Sequence, residues 1–354
     1  MMALLMLGRV LAEEGPPADP EVPERVSALV VPTLDHTPET GLALGAVALI
    51  SLRPSPDART STVKIEATGT WRRQAILETG WELFLPEDRW LLAGNAAVMR
   101  YPEQYWGVGP DTPDDPETYD AWRIEGEADL LWRPWRALYV GPSYLYQWMF
   151  NLTPAPGGRL DRGDAPGADG GLSSGLGYAI AWDDRTSTAQ PTGGSHLLRV
   201  HQARYAPAFG SDHTFSRTTV DGRWYLSTWR DQVLALQGLA VLHTGEPPFR
   251  MLAMLGGDTI GRGYYYGRYR DRHLLAAQAE YRAPIVWRVG VVAFAGLAEV
   301  TPRLDALTVD WLRPTLGGGL RVRVTEEAEP INLRLDYAVG RESAAFYFGF
   351  GEAF

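Results

Sequence analysis

From Val26 to Phe354 hydrophobic and polar residues alternate along the chain in short stretches, and turn chemistry built on Gly, Pro and Asp separates one stretch from the next. In Thr62 to Trp71, Val63, Ile65, Ala67 and Trp71 fall on one face of an extended strand, while Thr62, Lys64, Glu66, Thr68 and Thr70 fall on the other. Trp122, Ile124, Ala128, Leu130 and Trp132 oppose Arg123, Glu125, Glu127 and Asp129 in the same way. Near the end, Ile331, Leu333, Leu335, Tyr337 and Val339 oppose Asn332, Arg334 and Asp336, and Leu320, Val322 and Val324 oppose Arg321 and Arg323. A soluble β-sandwich produces similar local alternation. Here the polar face is unusually charged, and no helical period interrupts the pattern, which points to strands with one side in lipid and the other lining a wet lumen.

The stretches predict an all-β fold, an antiparallel up-and-down transmembrane barrel of about sixteen strands, an even number as bacterial barrels prefer. Their expected cores are 26–33, 41–51, 61–71, 75–85, 89–100, 120–132, 137–148, 172–182, 196–206, 214–227, 232–244, 272–282, 287–299, 313–324, 330–339 and 344–354. Placing both termini in the periplasm sorts the connections well. The turns at 86–88 and 133–136 become short inner turns and 183–195 a longer one. The Gly-, Pro- and Asp-rich segments 101–119, 149–171 and 245–271 become outer loops, and 72–74 a short outer turn.

Composition narrows the picture. No run approaches the roughly 18 apolar residues that a membrane-spanning helix requires, whereas the 13 Trp and 16 Tyr suit membrane interfaces. A net charge of −10 and a pI near 5.2 argue against a nucleic-acid partner. Lys64 is the sole lysine, and the absence of cysteine excludes disulfides, thiolate metal sites and a cysteine nucleophile. Residues 1–12 read as an export signal, with an apolar Met1–Leu7 and a small-residue site at Val10-Leu11-Ala12, although Arg9 interrupts the core. Residues 13–25 read as an acidic, Pro-rich linker, too short for a further domain, and 26–354 as the barrel.

Candidate chemistry is sparse. The histidines are His36, His196, His201, His213, His243 and His273, and none lies in a hydrolase or metalloprotease motif. His196 and His201 point to opposite faces of one strand and cannot share a metal. Asp111, Asp114, Asp115 and Glu117 lack the order of a calcium loop and read as a solvated acidic loop. The expectation is therefore a non-enzyme with neither cofactor nor metal.

Four landmarks carry a resemblance. Thr37-Pro38-Glu39-Thr40-Gly41 looks like a first outer hairpin. Asp183-Asp184-Arg185 followed by Pro191-Thr192-Gly193-Gly194 resembles an Asp-x-Arg…Pro-Thr-x-Gly inner turn. Gly256-Gly257, Arg262-Gly263-Tyr264 and Glu280-Tyr281-Arg282-Ala283-Pro284-Ile285 resemble a sixth-outer-loop motif with the strand and turn after it. Phe346, Phe348, Phe350 and Phe354 share one strand face and end the chain on an aromatic. In this order they resemble the BamA/TamA family of outer-membrane assembly barrels, and the resemblance runs from about Pro32 to the end.

The resemblance implies that the loop around Arg262 folds into the lumen and that Arg262 pairs with Glu280. The family's second carboxylate aligns with Gly296, so either Glu280 serves alone or an acid such as Asp336 or Glu299 substitutes. It implies a seam, at Val26–Thr33 and Phe346–Phe354, where client proteins engage, and a C-terminal signal read by the barrel-assembly machinery. The family's periplasmic POTRA domains find no room here, so the chain resembles a barrel-only member. The implied partners are outer-membrane lipid, that machinery and an envelope protein client, and the implied role is assembly, translocation or scaffolding. A passive plugged barrel or narrow pore is the rival reading, with an outer-membrane hydrolase behind it.

Overall fold

In a computed structural model, residues 26–52, 60–85, 89–185, 190–191, 193–324 and 332–354 are described. The expected signal, the linker and the turn at 86–88 lie outside them.

Alternation builds the strands in chain order: β1 (Val26–Thr37), β2 (Gly41–Leu52), β3 (Ser61–Thr70), β4 (Ala75–Phe84), β5 (Trp90–Arg100), β6 (Glu103–Tyr105), β7 (Glu117–Trp135), β8 (Leu138–Pro154), β9 (Gly171–Asp183) and β10 (Ser195–Tyr205). After them come β11 (Phe215–Ser227), β12 (Val233–Gly245), β13 (Ala253–Leu255), β14 (Tyr269–Asp271), β15 (His273–Val286), β16 (Val289–Thr301), β17 (Arg313–Arg323), β18 (Asn332–Gly340) and β19 (Ser343–Phe350). Setting aside the short β6, β13 and β14, sixteen antiparallel strands pair with their chain neighbours, and β1 meets β19 to close the barrel. The helices among the described residues are brief 3-10 turns at Pro207–Phe209, Leu304–Ala306 and Val309–Trp311.

Side chains sort as the period of two requires. Ile65, Leu77, Leu130, Leu176, Leu198, Leu320 and Tyr337 are exposed on the outside, whereas Asp129, Glu280, Arg321, Arg334 and Asp336 are buried within. Tryptophans gather toward the strand ends, where amphipathic rings suit the membrane boundary. Trp90 faces Trp132 in register, the Trp135 and Trp182 rings lie 5.7 Å apart, and Trp148 packs on Phe150 at 4.6 Å.

Three strands differ most from expectation. β7 and β8 reach 19 and 17 residues and rise into the segments expected as loops, because Tyr119, Ala121 and Met149 find an apolar roof there. That roof is formed by Leu160, Ala165 and Ala168 from the following loop, with Phe249 and Leu252. β19 ends at Phe350 instead of running to Phe354, since Gly351 adopts φ +81° and turns the chain out of the strand. Phe346 and Phe350 remain exposed on the outer face, but Phe354 does not share it; it is buried with Tyr225 and Ala235 inside the barrel.

Candidate functional site

The segment between β12 and β15 occupies the lumen. It forms its own small hairpin, β13 against β14, with Leu255 opposite Tyr269, and packs Leu255, Ile260, Tyr264 and Tyr269 against Val241, Leu274 and Val300 of the wall. Gly256 and Gly257 take φ of +116° and +100°, which L side chains rarely adopt, and a Cβ on Gly256 would lie 2.1 Å from the Tyr265 carbonyl. Gly263, at φ +105°, brings the loop against β18; a Cβ there would meet the backbone of Val339 and Gly340 at 3.0 Å. Its amide donates to the Tyr347 hydroxyl at 2.9 Å. The Tyr264 hydroxyl donates to the Pro314 carbonyl at 3.1 Å and accepts from the Arg341 amide at 2.6 Å.

Arg262 is enclosed between these glycine-dependent turns. Its Nη1 lies 2.8 Å from Glu280 Oε2 and 2.9 Å from Asp336 Oδ2, and all three side chains have no exposed surface. The guanidinium also covers the Phe294 ring at 3.4 Å from its centroid. Of the acids considered as substitutes at the Gly296 position, Asp336 is the one that reaches Arg262, from β18. Glu299 instead accepts from the Thr308 amide at 3.1 Å. At Gly296 itself a Cβ would crowd Thr315 Oγ1 at 2.9 Å, and Phe294, opposite Glu280 in register, presents an aromatic face instead. A buried charge needs a partner. Here the acids are shared: Asp336 also accepts from Arg321 at 2.6 Å, and Glu280 from Arg282 at 2.8 Å.

A second anchor was not legible in the sequence. Glu103 on β6 is buried and accepts from the Tyr119 hydroxyl at 2.8 Å and from Arg123 at 3.2 Å. Arg250 and Arg270, both from the lumen segment, approach it at 3.3 and 3.8 Å. Glu39, in the first outer hairpin, accepts from the Tyr266 amide. The available signal was a glutamate beside aromatics in a region otherwise read as a solvated loop.

The inner-turn residues stand apart from this network. Asp183 and Arg185 form a two-bond pair at 2.9 and 2.7 Å that folds the turn on itself. Gly193 passes so close to β11 that a Cβ would meet Ser227 Oγ at 2.0 Å. Pro191 is buried and helps line an inner cavity of about 560 Å³ together with Arg282, Arg321 and Glu352.

The seam is sparse. β1 and β19 share one registered pair, His36 opposite Phe348, with His36 Nδ1 3.1 Å from the Phe346 carbonyl. Every other neighbouring pair of barrel strands is in register over at least eight residues, and β1 itself pairs with β2 from Val26 to Thr37.

These features define a class: an outer-membrane barrel that binds one of its own outer loops within its lumen and closes on a nearly unpaired seam. The Omp85 superfamily domain matches residues 143–354, and the chain belongs to the Omp85 superfamily, as an integral outer-membrane barrel. Among solved structures it is similar to BamA from Haemophilus ducreyi lacking POTRA domains 1–3, at 15% identity and a TM-score of 0.59, over 92% of this chain and 70% of that one. It is also similar to CdiB from Escherichia coli, at 12% identity and 0.62, over 94% of this chain and 63% of that one. CdiB from Acinetobacter baumannii matches at 10% and 0.58, over 92% and 60%. The chain thus spans less than two thirds of either CdiB, and at these identities the likeness is one of fold. No curated protein matches the chain.

Proposed function

We propose that the protein assists the assembly, translocation or scaffolding of other envelope proteins, engaging them at the seam between β1 and β19. The observation that carries this reading is the single registered pair at His36 and Phe348, which leaves most of β1 without a ladder partner on that side. Unpaired strand edges recruit extended chains through backbone hydrogen bonds. Both termini lie on the periplasmic side, and the exposed Val26 and Val30 of β1 present the edge to a client strand. No catalytic group is required. Phe346, Phe348, Phe350 and Phe354 serve as the signal read by the barrel-assembly machinery before folding. The inner turn around Asp183 and Pro191 and the loop motif around Arg262 fix the lumen.

The test uses the chain's lack of cysteine. A photo-crosslinking residue at Val30 should capture an envelope protein in growing cells. A disulfide between His36→Cys and Phe348→Cys should abolish capture, and reduction should restore it. Capture unaffected by the locked seam, or no capture from any β1 position, would overturn the proposal.

The rival is a plugged barrel that anchors a partner, favoured by the segment filling the lumen. It requires a seam that stays shut, so locking would then leave its partner bound.

A further inference from the structure

We propose that the lumen wall between β7 and β10 binds one divalent transition-metal ion through Glu127, Asp129 and His201. Spacing in the sequence gives no hint of this site, and the sequence alone leads to an expectation of no metal. The barrel brings the three together because its curvature turns the inward side chains of β7 and β10 toward each other across the two strands between them.

Glu127 and Asp129 are two apart on β7 and share its inner face, and His201 points inward from β10. Between them run β8 and β9, whose inner residues at this level are small. Asp129 is in register with Ser143, Ser143 with Gly177, and Gly177 with Ala203; His201 is in register with Ala179. With little side chain rising from the two intervening strands, the imidazole spans them. His201 Nε2 lies 3.3 Å from Asp129 Oδ2, and Nδ1 lies 4.0 Å from Glu127 Oε2. One ligand atom from each of the three falls within 4.8 Å of the others. Ligands of a tetrahedral zinc ion, about 2.0–2.2 Å from the metal, stand roughly 3.4 Å from one another. The histidine–aspartate edge already has that length, and a rotation of Glu127 closes the set.

A second, independent observation points to a ligand. Asp129 Oδ1 and Ser143 Oγ are buried without a hydrogen-bond partner, although the other Asp129 oxygen faces His201 Nε2. Asp129 is 4% and Ser143 1% exposed, so neither is served by open solvent. Native interiors rarely leave such groups unmatched, and two side by side at this cluster point to a bound partner. Glu127 and His201 open onto a cavity of about 210 Å³, room for the ion and for water in its remaining position.

The charges facing this cavity also include Arg199, Arg217 and Asp221, the last held by Arg223 at 2.6 Å. The two arginines offset much of the carboxylate charge, so a cation is not gathered here by the field alone. Direct ligation must select it. One imidazole and two carboxylates favour zinc or cobalt over calcium and magnesium, which take oxygen ligands. The neutral imidazole supplies one ring nitrogen, and the other is left free to donate.

The experiment uses the full-length barrel refolded in detergent, stripped with chelator, loaded with Zn²⁺ and desalted. Elemental analysis should find one ion per chain, and Co²⁺ in its place should give a visible d–d band. His201→Gln and Asp129→Asn should each weaken binding by at least about a hundredfold, beyond what loss of an outer partner of a ligand costs. His196→Gln, on the opposite face of β10, should bind as the parent does. No retained ion, or equal retention by parent, His201→Gln and Asp129→Asn, would overturn the proposal. Should the variants misfold, diethyl pyrocarbonate labelling of the parent decides. Protection of His201 by Zn²⁺ supports the site, and unchanged labelling of His201 overturns it.

Discussion

Arg282 holds Phe354 from inside the barrel: its Nη2 donates to the Phe354 carbonyl at 2.6 Å, and its guanidinium lies 5.3 Å from the ring centroid. The same guanidinium donates through Nε to Glu280, the partner of Arg262. Arg321 adds a parallel link, from Glu352 at 2.7 Å to Asp336 at 2.6 Å. The tail beyond β19 is therefore joined to the lumen segment through two wall arginines.

Removing the Phe354 side chain tests that link. Phe354→Ala should cost about 3 kcal/mol, the lower end for an aromatic taken from a packed site. It should also raise protease sensitivity in the lumen segment. The midpoint of the gel-mobility shift between folded and unfolded barrel reads the first effect, and an unchanged midpoint would mean the packing around Tyr225 contributes nothing.

Arg262 and its acids should behave as one unit. Breaking a buried pair by deleting one member typically costs about 3–5 kcal/mol. Arg262→Ala should expose Tyr264 to Arg270 to external protease. The combination with Glu280→Gln and Asp336→Asn should be less harmful than the summed single changes. Strict additivity in denaturant titrations would show that the groups are not coupled.

Glu103 should act at the other end of the segment. Glu103→Gln leaves Arg123, Arg250 and Arg270 facing a neutral amide, and cleavage should begin near Arg250 and Arg270 while Arg262 stays protected. Mass-spectrometric mapping of limited proteolysis distinguishes this order from a general loosening.

Lipid exposure predicts a contrast between neighbours on β10. Val200→Arg, outward at the middle of the strand, should cost about 2–4 kcal/mol. Arg199→Gln, inward beside it, should cost under about 1 kcal/mol, as for a surface change. Comparable losses in refolding assays would reverse the facing assignment.

The barrel was legible because its period of two survives through most of its strands, bulges in β7, β8 and β15 aside, so Leu333 to Val339 could be faced correctly from sequence. Arg262, Gly263 and Glu280 were singled out by the resemblance of their motif to a known family, and the inward parity of Glu280 on its strand agreed with it. What escaped was built by residues meeting inside the barrel from segments far apart in the chain. Glu103 with Arg250 and Arg270 depends on insertion of the lumen segment, and His201 with Asp129 on the curvature of the wall, and no local pattern encodes either. Phe354 escaped differently: Phe350 and Phe354 have the right parity for one face, but Gly351 breaks the strand between them.

The bound segment also decides how the ring can move. It spans the interior like a spoke, fastened at Glu103 on β6 and at Glu280 and Asp336 on β15 and β18. If β1 parts from β19, the arc from β6 to β19 stays braced by that spoke. The arc from β1 to β5 is tied to it mainly through Glu39 and the Tyr266 amide. Opening would therefore be lopsided: the early strands would form the swinging leaf, the late strands the fixed post, and Glu39 the latch between them.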